Sequence, residues 1–205
     1  MKKKNDHPLT GEELERARIR EDALRILDYG DNTASELARK LVKKGHDCGK
    51  VNDTVAVLIS QNIVDDRRYA ESYARVKSEA GKGPVWIRQK LSEKGVDSEV
   101  ISDVLADYTE RESERTACMK KALKICGLSG DFEVDESGCP VPAEDSRYLY
   151  EKAGVFESDS EDGSGGWQEA YKYREKMKAR LARRLASSGF SPSCVYYTVS
   201  KIADL

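Results

Sequence analysis

The feature that most constrains the fold of this 205-residue chain is an internal repeat marked by three similar helix endings. Lys43-Lys44-Gly45, Glu93-Lys94-Gly95 and Ser187-Ser188-Gly189 each place glycine where a left-handed residue closes a helix. A shift of 50 residues superimposes the first ending and its apolar neighbours on the second, and a further shift of 94 reaches the third. The excess of 44 residues predicts an insertion in the third repeat.

The repeats predict an all-α fold, because helical spacing dominates and strand-like alternation is scarce. We expect a flexible tail at residues 1–10, then three-helix repeats at 11–61, 62–108 and 109–205, the last interrupted by an acidic insertion at about 127–168. The second helix of each repeat carries an apolar stripe that predicts a buried core. These stripes are Leu37 and Leu41, Ile87 and Leu91, and Leu181 and Leu185.

Helix starts can be predicted from capping chemistry. Thr33 to Glu36 matches a capping box, and Pro84 and Pro192 stand where a first helical residue needs no N–H. By the repeat register, the second helix of the third repeat is expected at 177–189. The first helices are expected to add Leu24 and Leu27, Tyr69, Tyr73 and Val76, and Met119, Ala122 and Leu123 to the core.

The charge is distributed unevenly along the chain. The net charge is −2, but residues 127–168 hold 11 acidic and 2 basic residues, so the rest of the chain is basic. An excess of basic residues from 169 to 205 is typical of a surface that faces a polyanion. The acidic insertion is open to two interpretations: a solvated surface loop, or an intramolecular brake that competes with nucleic acid for the basic surface.

Several functional classes are disfavoured. The five cysteines form no C-x-x-C pair, which favours reduced thiols in a cytoplasmic protein, and no membrane span or cofactor is expected. The Gly81–Gly95 stretch lacks the spacing of a phosphate loop. Asp65 and Asp66 stand at a helix start, where carboxylates cap. No nucleophile, histidine and carboxylate can be combined, so we expect no enzyme.

Basic residues recur at equivalent positions of the second helices. They predict a basic track suited to a polyanion or an acidic protein groove, although lysines in last helical turns also serve the helix dipole and solubility. Trp86 is expected to stack on a base or enter a partner's pocket, or else to pack between adjacent repeats. The candidate binding residues are Lys40, Lys44, Arg67, Arg68, Arg75, Trp86, Arg88, Lys90, Lys94, Arg180, Arg183 and Arg184.

The segment from Asn62-Ile-Val-Asp-Asp-Arg-Arg-Tyr-Ala-Glu-Ser-Tyr-Ala to Arg75, followed by Gly81-Lys-Gly-Pro84, Ile87-Arg88, Leu91 and Glu93-Lys-Gly95, resembles the central motif of the RecX family, bacterial regulators of the RecA recombinase. The resemblance runs from about residue 20 to 126 and resumes from about 172 to 203. Arg67, where the family commonly has an acidic residue, and the long insertion depart from the pattern.

The resemblance implies an elongated, curved array of three repeats. It also implies binding in the groove of the RecA filament on single-stranded DNA, with inhibition of ATP hydrolysis, strand exchange and co-protease activity. We further expect a monomer whose direct binding to DNA, if present, is weak. Two alternatives remain open from the residues alone. One is a helix-turn-helix-like DNA-binding module, and the other is a helical scaffold for another protein.

Overall fold

A computed structural model describes residues 10–111, 114–128, 130, 132–142 and 166–203. These residues form helices and one β-hairpin. In chain order they are α1 (Gly11–Asp28), α2 (Ala34–Lys43), α3 (Cys48–Ser60), α4 (Asp66–Glu79), α5 (Pro84–Glu93), α6 (Ser98–Arg111), α7 (Glu114–Cys126), β1 (Phe132–Val134), β2 (Pro140–Pro142), α8 (Gly166–Ser187) and α9 (Pro192–Ala203).

The chain divides into two compact units. The first unit consists of residues up to Tyr73 together with Lys90–Val104, and the second of Ala74–Gln89 together with residues from Leu105 onward. Helices α4, α5 and α6 therefore have residues in both units, and the boundaries of the three expected repeats stay a prediction. The core of the first unit includes Ile19, Ala23, Leu37, Leu41, Val51, Val55, Leu58 and Val64, and that of the second includes Cys118, Ala122, Leu181, Leu185, Phe190, Cys194 and Val195.

Most of the predicted helix boundaries are confirmed. Pro84 and Pro192 are the first residues of α5 and α9. Gly45, Gly95 and Gly189 have φ angles of 97°, 79° and 85°, the left-handed region in which glycine carries no Cβ penalty. A helix can end at these positions without backbone strain.

The capping box predicted at Thr33 is half formed. The Thr33 hydroxyl accepts a hydrogen bond from the Glu36 amide at 3.1 Å. The Glu36 carboxylate, however, binds Lys94 at 2.9 Å, so the reciprocal bond of a capping box is replaced by a long-range ion pair. A complete capping box occurs instead between Thr10 and Glu13 at the start of α1.

The predicted core stripe of the second helices is confirmed, since all six of its residues are at most 6% exposed. The first helices differ in part. Met119, Ala122 and Leu123 are buried, but Leu24 is 38% and Val76 49% exposed. The buried positions of these helices are instead occupied by Ile19 and Ala23 in α1 and by Ala70 and Ala74 in α4. Of the other residues expected there, Leu27 packs against the core and Tyr69 and Tyr73 are half-buried, so the expectation was wrong for Leu24 and Val76.

In the first unit, the N-terminal end of α2 packs on the C-terminal end of α5. The Thr33 hydroxyl donates to the Lys94 carbonyl oxygen at 2.6 Å, which satisfies one of the carbonyls that a helix end leaves unpaired. A Cβ atom on Gly95 would overlap the side chain of Ser35. From α4, the Asp66 carboxylate accepts a hydrogen bond from the Ala34 amide at 2.8 Å. The Lys94 carbonyl oxygen at the end of α5 and the Ala34 amide at the start of α2 are therefore both satisfied.

The second unit contains the same kind of contact, between the N-terminal end of α5 and the C-terminal end of α8. The Gly83 amide donates to the Ser188 carbonyl oxygen at 2.7 Å, and the Val85 amide to the Gly189 carbonyl oxygen at 3.1 Å. A Cβ atom on Gly83 would overlap the backbone of Gly189, and one on Gly189 would overlap Trp86. We call these two contacts the helix-end junctions. They require glycine for close approach as well as for its φ angle.

The expected insertion adds secondary structure that the sequence analysis did not predict. Strands β1 and β2 pair antiparallel, with Glu133 opposite Val141, and the hairpin packs on α7. Helix α8 begins at Gly166 rather than at the expected residue 177. The remaining part of the insertion, residues 143–165, lies outside the described residues, so the structure does not test whether it acts as a brake.

The helix-end junctions predict that replacing their glycines with alanine destabilises the protein more than the same change elsewhere. Gly45→Ala is the matched control, because Gly45 has a positive φ but nothing lies within 4 Å of an added Cβ. We expect G45A to lower the free energy of unfolding by about 1–2 kcal/mol. For G95A and G189A we expect a further loss of about 1–3 kcal/mol from overlap. Urea unfolding followed by circular dichroism measures these differences, and equal losses in all three variants would contradict the close approach.

Candidate surface of basic residues on the second helices

The twelve candidate binding residues divide equally between the two units. All belong to the part of the chain that the structure describes. The first unit holds Lys40, Lys44, Arg67, Arg68, Lys90 and Lys94, and the second holds Arg75, Trp86, Arg88, Arg180, Arg183 and Arg184. Their surroundings separate residues that support the fold from residues that are exposed to solvent.

Lys94 is a structural residue of the first helix-end junction. Its ammonium group lies 2.9 Å from the Glu36 carboxylate, and the two side chains are only 26% and 18% exposed. The same ammonium group lies 5.5 Å and 5.7 Å from the ring centroids of Tyr69 and Tyr73. Burial lowers the pKa of Lys94, but the hydrogen bonds with Tyr69 and Glu36 outweigh it, so the pKa is raised overall. The charge is therefore kept, yet it is largely occupied within the protein.

Lys44 and Lys40 in the first repeat are also engaged. Lys44 lies 2.8 Å from the carboxylate of Asp22, which is also 2.8 Å from the Nε2 atom of His46. The Lys44 hydrogen bond, followed by that of His46, lowers the pKa of Asp22 below its usual value. Lys40 donates to the amide oxygen of the buried Asn32. Both lysines thus tie the second helix to neighbouring segments, while much of each side chain stays exposed.

Lys90 and Arg67, two further candidates of the first unit, pair with carboxylates at the surface. Lys90 lies 2.6 Å from the Glu93 carboxylate one turn away. Arg67 lies 3.2 Å from Glu71 and 3.7 Å from Asp103. The pairs of Lys90 and Arg67 are between about one third and two thirds exposed, so each contributes little to stability and can exchange partners.

All the candidate cations of the second unit are exposed. Arg75 in α4 and Arg88 in α5 are exposed, as are Arg180, Arg183 and Arg184 in α8. The Arg183 guanidinium donates to the Ala179 carbonyl oxygen of its own helix at 3.2 Å. On α8 the three arginines fall within five positions, which concentrates positive charge near the end of that helix.

Trp86 lies at the second helix-end junction. Its backbone and Cβ are in close contact with Gly189, and the side chain is half-buried. The Lys82 ammonium group lies 4.8 Å from the ring centroid. Of the roles expected for Trp86, packing against a neighbouring repeat is the one that these contacts favour.

Asp65 and Asp66 cap helices, as expected, but not the same helix. Asp65 accepts a hydrogen bond from the Arg68 amide at 3.0 Å and caps α4. Asp66 caps α2 through Ala34, and burial raises the pKa of its carboxyl group. Among the described residues, no group of three histidines, cysteines or acidic residues is arranged to hold a metal ion. Of the helices described, none has the length and apolarity needed to cross a membrane.

Further basic residues lie in the early turns of α8, outside the twelve candidates. Lys172 and Lys176 are exposed, and Lys178 lies 3.0 Å from Glu175. Lys172 and Lys176 precede residue 177, where the repeat register predicted the start of this helix, whereas Lys178 lies inside the predicted helix. The run of alternating basic residues from Lys172 to Arg180 was the signal that could have identified them.

Comparison with known proteins identifies the family. Residues 65–105 match the family model described as "RecX, second three-helix domain". Over 116 residues, 57% of this chain, the sequence is 36% identical to the regulatory protein RecX of Legionella pneumophila and covers 76% of it. This chain belongs to the RecX family. It is also 42% identical over 89 residues to the regulatory protein RecX of Halorhodospira halophila, a match that spans 55% of that relative and 43% of this chain.

Solved RecX structures have the same fold. The crystal structure of RecX from Lactobacillus salivarius matches with a TM-score of 0.63 at 22% identity, covering 93% of this chain and 98% of that one. A second crystal structure of regulatory protein RecX matches with a TM-score of 0.60 at 23% identity, covering 91% of this chain and 71% of that one. The expected all-α helical repeat class is thereby confirmed, and the relatives carry names of regulatory proteins.

The different surroundings of Lys94 and Lys90 predict different effects on stability. Lys94→Met leaves Glu36 poorly exposed without its partner, and we expect a loss of about 2 kcal/mol in the free energy of unfolding. Lys90→Met breaks an exposed pair one turn apart, and we expect a loss below about 1 kcal/mol. Urea denaturation of both variants measures the difference.

A double-mutant cycle separates the Lys94–Glu36 pair from other contacts of Lys94. K94M combined with E36Q should be less destabilising than the sum of the two single changes. If K94M costs no more than K90M, Lys94 is not the structural residue that these distances indicate.

Proposed function

We propose that this protein modulates the RecA recombinase, chiefly by inhibiting it. It does so by binding in the groove of the RecA filament on single-stranded DNA. In that position it lowers ATP hydrolysis, strand exchange and co-protease activity. It acts as a monomer in the cytoplasm, where the recombinase and its DNA are found. Its three repeats, at 11–61, 62–108 and 109–205, are the elements that contact the filament.

Membership of the RecX family and the exposed cations of the second helices support this proposal. The cations that carry it are Arg88 and the three arginines at the end of α8, because their side chains are exposed whereas Lys94 is held by Glu36. Cations on exposed helix faces attract an acidic protein groove or DNA phosphates and speed association. We therefore assign filament contact to Arg88, Arg180, Arg183 and Arg184, with weaker contributions from Lys40, Lys44, Arg67, Arg68, Arg75 and Lys90.

A helix-turn-helix mode of DNA binding is disfavoured by the third helices α3 and α6. Such a mode needs polar or basic side chains on the helix that enters the groove. The exposed face of α6 carries Asp103 and Asp107, which repel phosphates. Lys50 on α3 is bound to Glu15. The repeats themselves are the feature that supports the hypothesis of a scaffold for another protein. Capture of a different partner, without binding of RecA, would favour that hypothesis.

Reversing the charge of one exposed arginine should weaken inhibition of RecA. Arg88→Glu and Arg180→Glu are the test variants, and Arg18→Glu is the matched control, since Arg18 is exposed on α1 and outside the candidate set. We expect each test variant to need about 5-fold more protein for half-inhibition of ATP hydrolysis on single-stranded DNA, which corresponds to about 1 kcal/mol. R18E should behave as the unchanged protein.

Two outcomes of this assay would count against the proposal. If the unchanged protein has no effect on ATP hydrolysis at several-fold excess over RecA, the function itself is wrong. If R18E weakens inhibition as much as R88E and R180E do, only the net charge matters and the assigned surface is wrong.

The acidic insertion offers a second test of electrostatic binding. Exchanging Glu157, Asp159, Glu161 and Asp162 for the corresponding amides keeps the length and removes four negative charges. If the insertion acts as a brake, this variant binds the RecA filament or single-stranded DNA more tightly at 50 mM salt, and the gain fades at 200 mM as screening increases. Fluorescence anisotropy with labelled DNA, with and without RecA, measures the affinity. If the variant and the unchanged protein bind with equal affinity at each salt concentration, the segment is a solvated loop.

A further inference from the structure

Two cysteine thiols meet in the core of the second unit. Cys118 lies in the middle of α7 and Cys194 in the first turn of α9, and their side chains are 0% and 4% exposed. Both belong to the same apolar cluster, in which α7 and α9 pack together, and each thiol shifts the pKa of the other. Packed helices thus hold two sulfur atoms, 76 positions apart in the sequence, next to each other.

The polar surroundings of this pair are unusual for a core. The Cys194 thiol also donates to the Glu114 carbonyl oxygen at 3.4 Å. The hydroxyl of Thr198, one turn further along α9, is 0% exposed and has no hydrogen-bond partner of good geometry among the described residues, although it lies close enough to both thiols to lower their pKa values. A buried hydroxyl without a partner is costly, and such groups often mark a redox or functional site rather than simple packing.

We propose that Cys118 and Cys194 are a redox pair that forms an intramolecular disulfide, joining α7 to α9 under oxidising conditions. A disulfide needs the two sulfur atoms to approach to about 2.0 Å. Because the Cys194 thiol contacts Glu114, one helical turn before Cys118 on α7, a side-chain rotation or a small helix shift is enough to bring the two sulfur atoms together. The two thiols stay reduced in a reducing compartment. The disulfide forms when the ratio of oxidised to reduced glutathione rises.

The reaction is a thiol–disulfide exchange with a low-molecular-weight disulfide such as oxidised glutathione. The Cys194 thiolate attacks one sulfur of the reagent, which expels one glutathione thiolate and leaves a mixed disulfide on Cys194. The Cys118 thiolate then attacks the Cys194 sulfur and expels the second glutathione. Two protein thiols lose two protons and two electrons, and one reagent disulfide becomes two thiols.

Cys194 is the attacking residue for two reasons. It lies in the first turn of α9, where a helix N-terminus stabilises a thiolate, and its interaction with the Cys118 thiol lowers its pKa. That interaction and burial raise the pKa of Cys118. The adjacent Pro192 and Ser193 are exposed, so fraying of this first turn admits the reagent to Cys194 before Cys118.

The crosslink would act on the part of the chain that carries the insertion. The loop between Cys118 and Cys194 contains the hairpin, residues 143–165 and α8. Closing so long a loop restricts the unfolded chain, so the disulfide stabilises the packing of α7 against α9. This effect does not depend on the proposed function, because it concerns folding of the second unit alone.

The test uses the full-length protein in glutathione buffers of increasing oxidised fraction. After quenching with N-ethylmaleimide, the intact mass shows how many thiols remain, and protease digestion identifies linked peptides. We expect three labelled thiols, a mass loss of two hydrogens, and a linked peptide pair containing Cys118 and Cys194. The oxidised protein should also unfold at a higher temperature than the reduced protein.

Variants and controls distinguish this pair from the other cysteines. Cys118→Ser and Cys194→Ser should each abolish the crosslink, whereas Cys48→Ser at the exposed position should leave it unchanged. Cys139→Ser is a second control, because the Cys139 thiol is already bonded to the Tyr197 hydroxyl at 2.9 Å. The proposal is overturned by any of three results: five free thiols, glutathione adducts without a linked pair, or a link between any other two cysteines. Peptide mapping of the unchanged protein gives this answer even if a variant fails to fold.

Discussion

The described structure depends on one recurring interaction, the docking of a helix N-terminus on the glycine turn that ends another helix. At each helix-end junction, an N-terminal hydroxyl or amide reaches the carbonyl groups that the other helix leaves unpaired. The approach is so close that Gly95, Gly83 and Gly189 have no room for a Cβ atom. The same contact thus ends one helix and aligns the next, and it places the buried stripe of each second helix against its core.

These junctions also explain why lysines at equivalent repeat positions have different roles. Lys94 and Lys44 both stand immediately before a closing glycine. Lys94 lies at a junction and is bound by Glu36 and two tyrosine rings, whereas Lys44 lies beside Gly45, where no junction forms, and pairs with Asp22. The three arginines near the end of α8 form no such ion pair with any described residue, so their charge is available to a polyanionic partner. The candidate surface is therefore narrower than the pattern of basic residues alone suggests.

The third repeat accommodates its long insertion by adding local structure at both ends. The hairpin packs on α7, with the Cys139 thiol bonded to Tyr197 of α9, and α8 starts well before the repeat register requires. Because α7 and α9 are so distant in sequence, their packing costs more loop-closure entropy than that of a repeat without an insertion. The thiol pair between the same two helices lies where a crosslink would offset that cost.

The sequence by itself determined the helical class and the glycine and proline positions at several helix ends, because capping residues, left-handed glycines and apolar spacing act over a few residues. It did not determine the start of α8 or the hairpin. It also indicated the family, since a dense local motif survives in Asn62–Gly95. Tertiary structure alone decided which residues of α1 and α4 are buried, since alanines pack there in place of Leu24 and Val76. It likewise decided that Asp66 caps α2 and that Lys94 pairs with Glu36, because these contacts join residues 32 and 58 positions apart. A local sequence pattern does not predict contacts between residues so far apart in the chain, because only the packing of the helices brings these groups together.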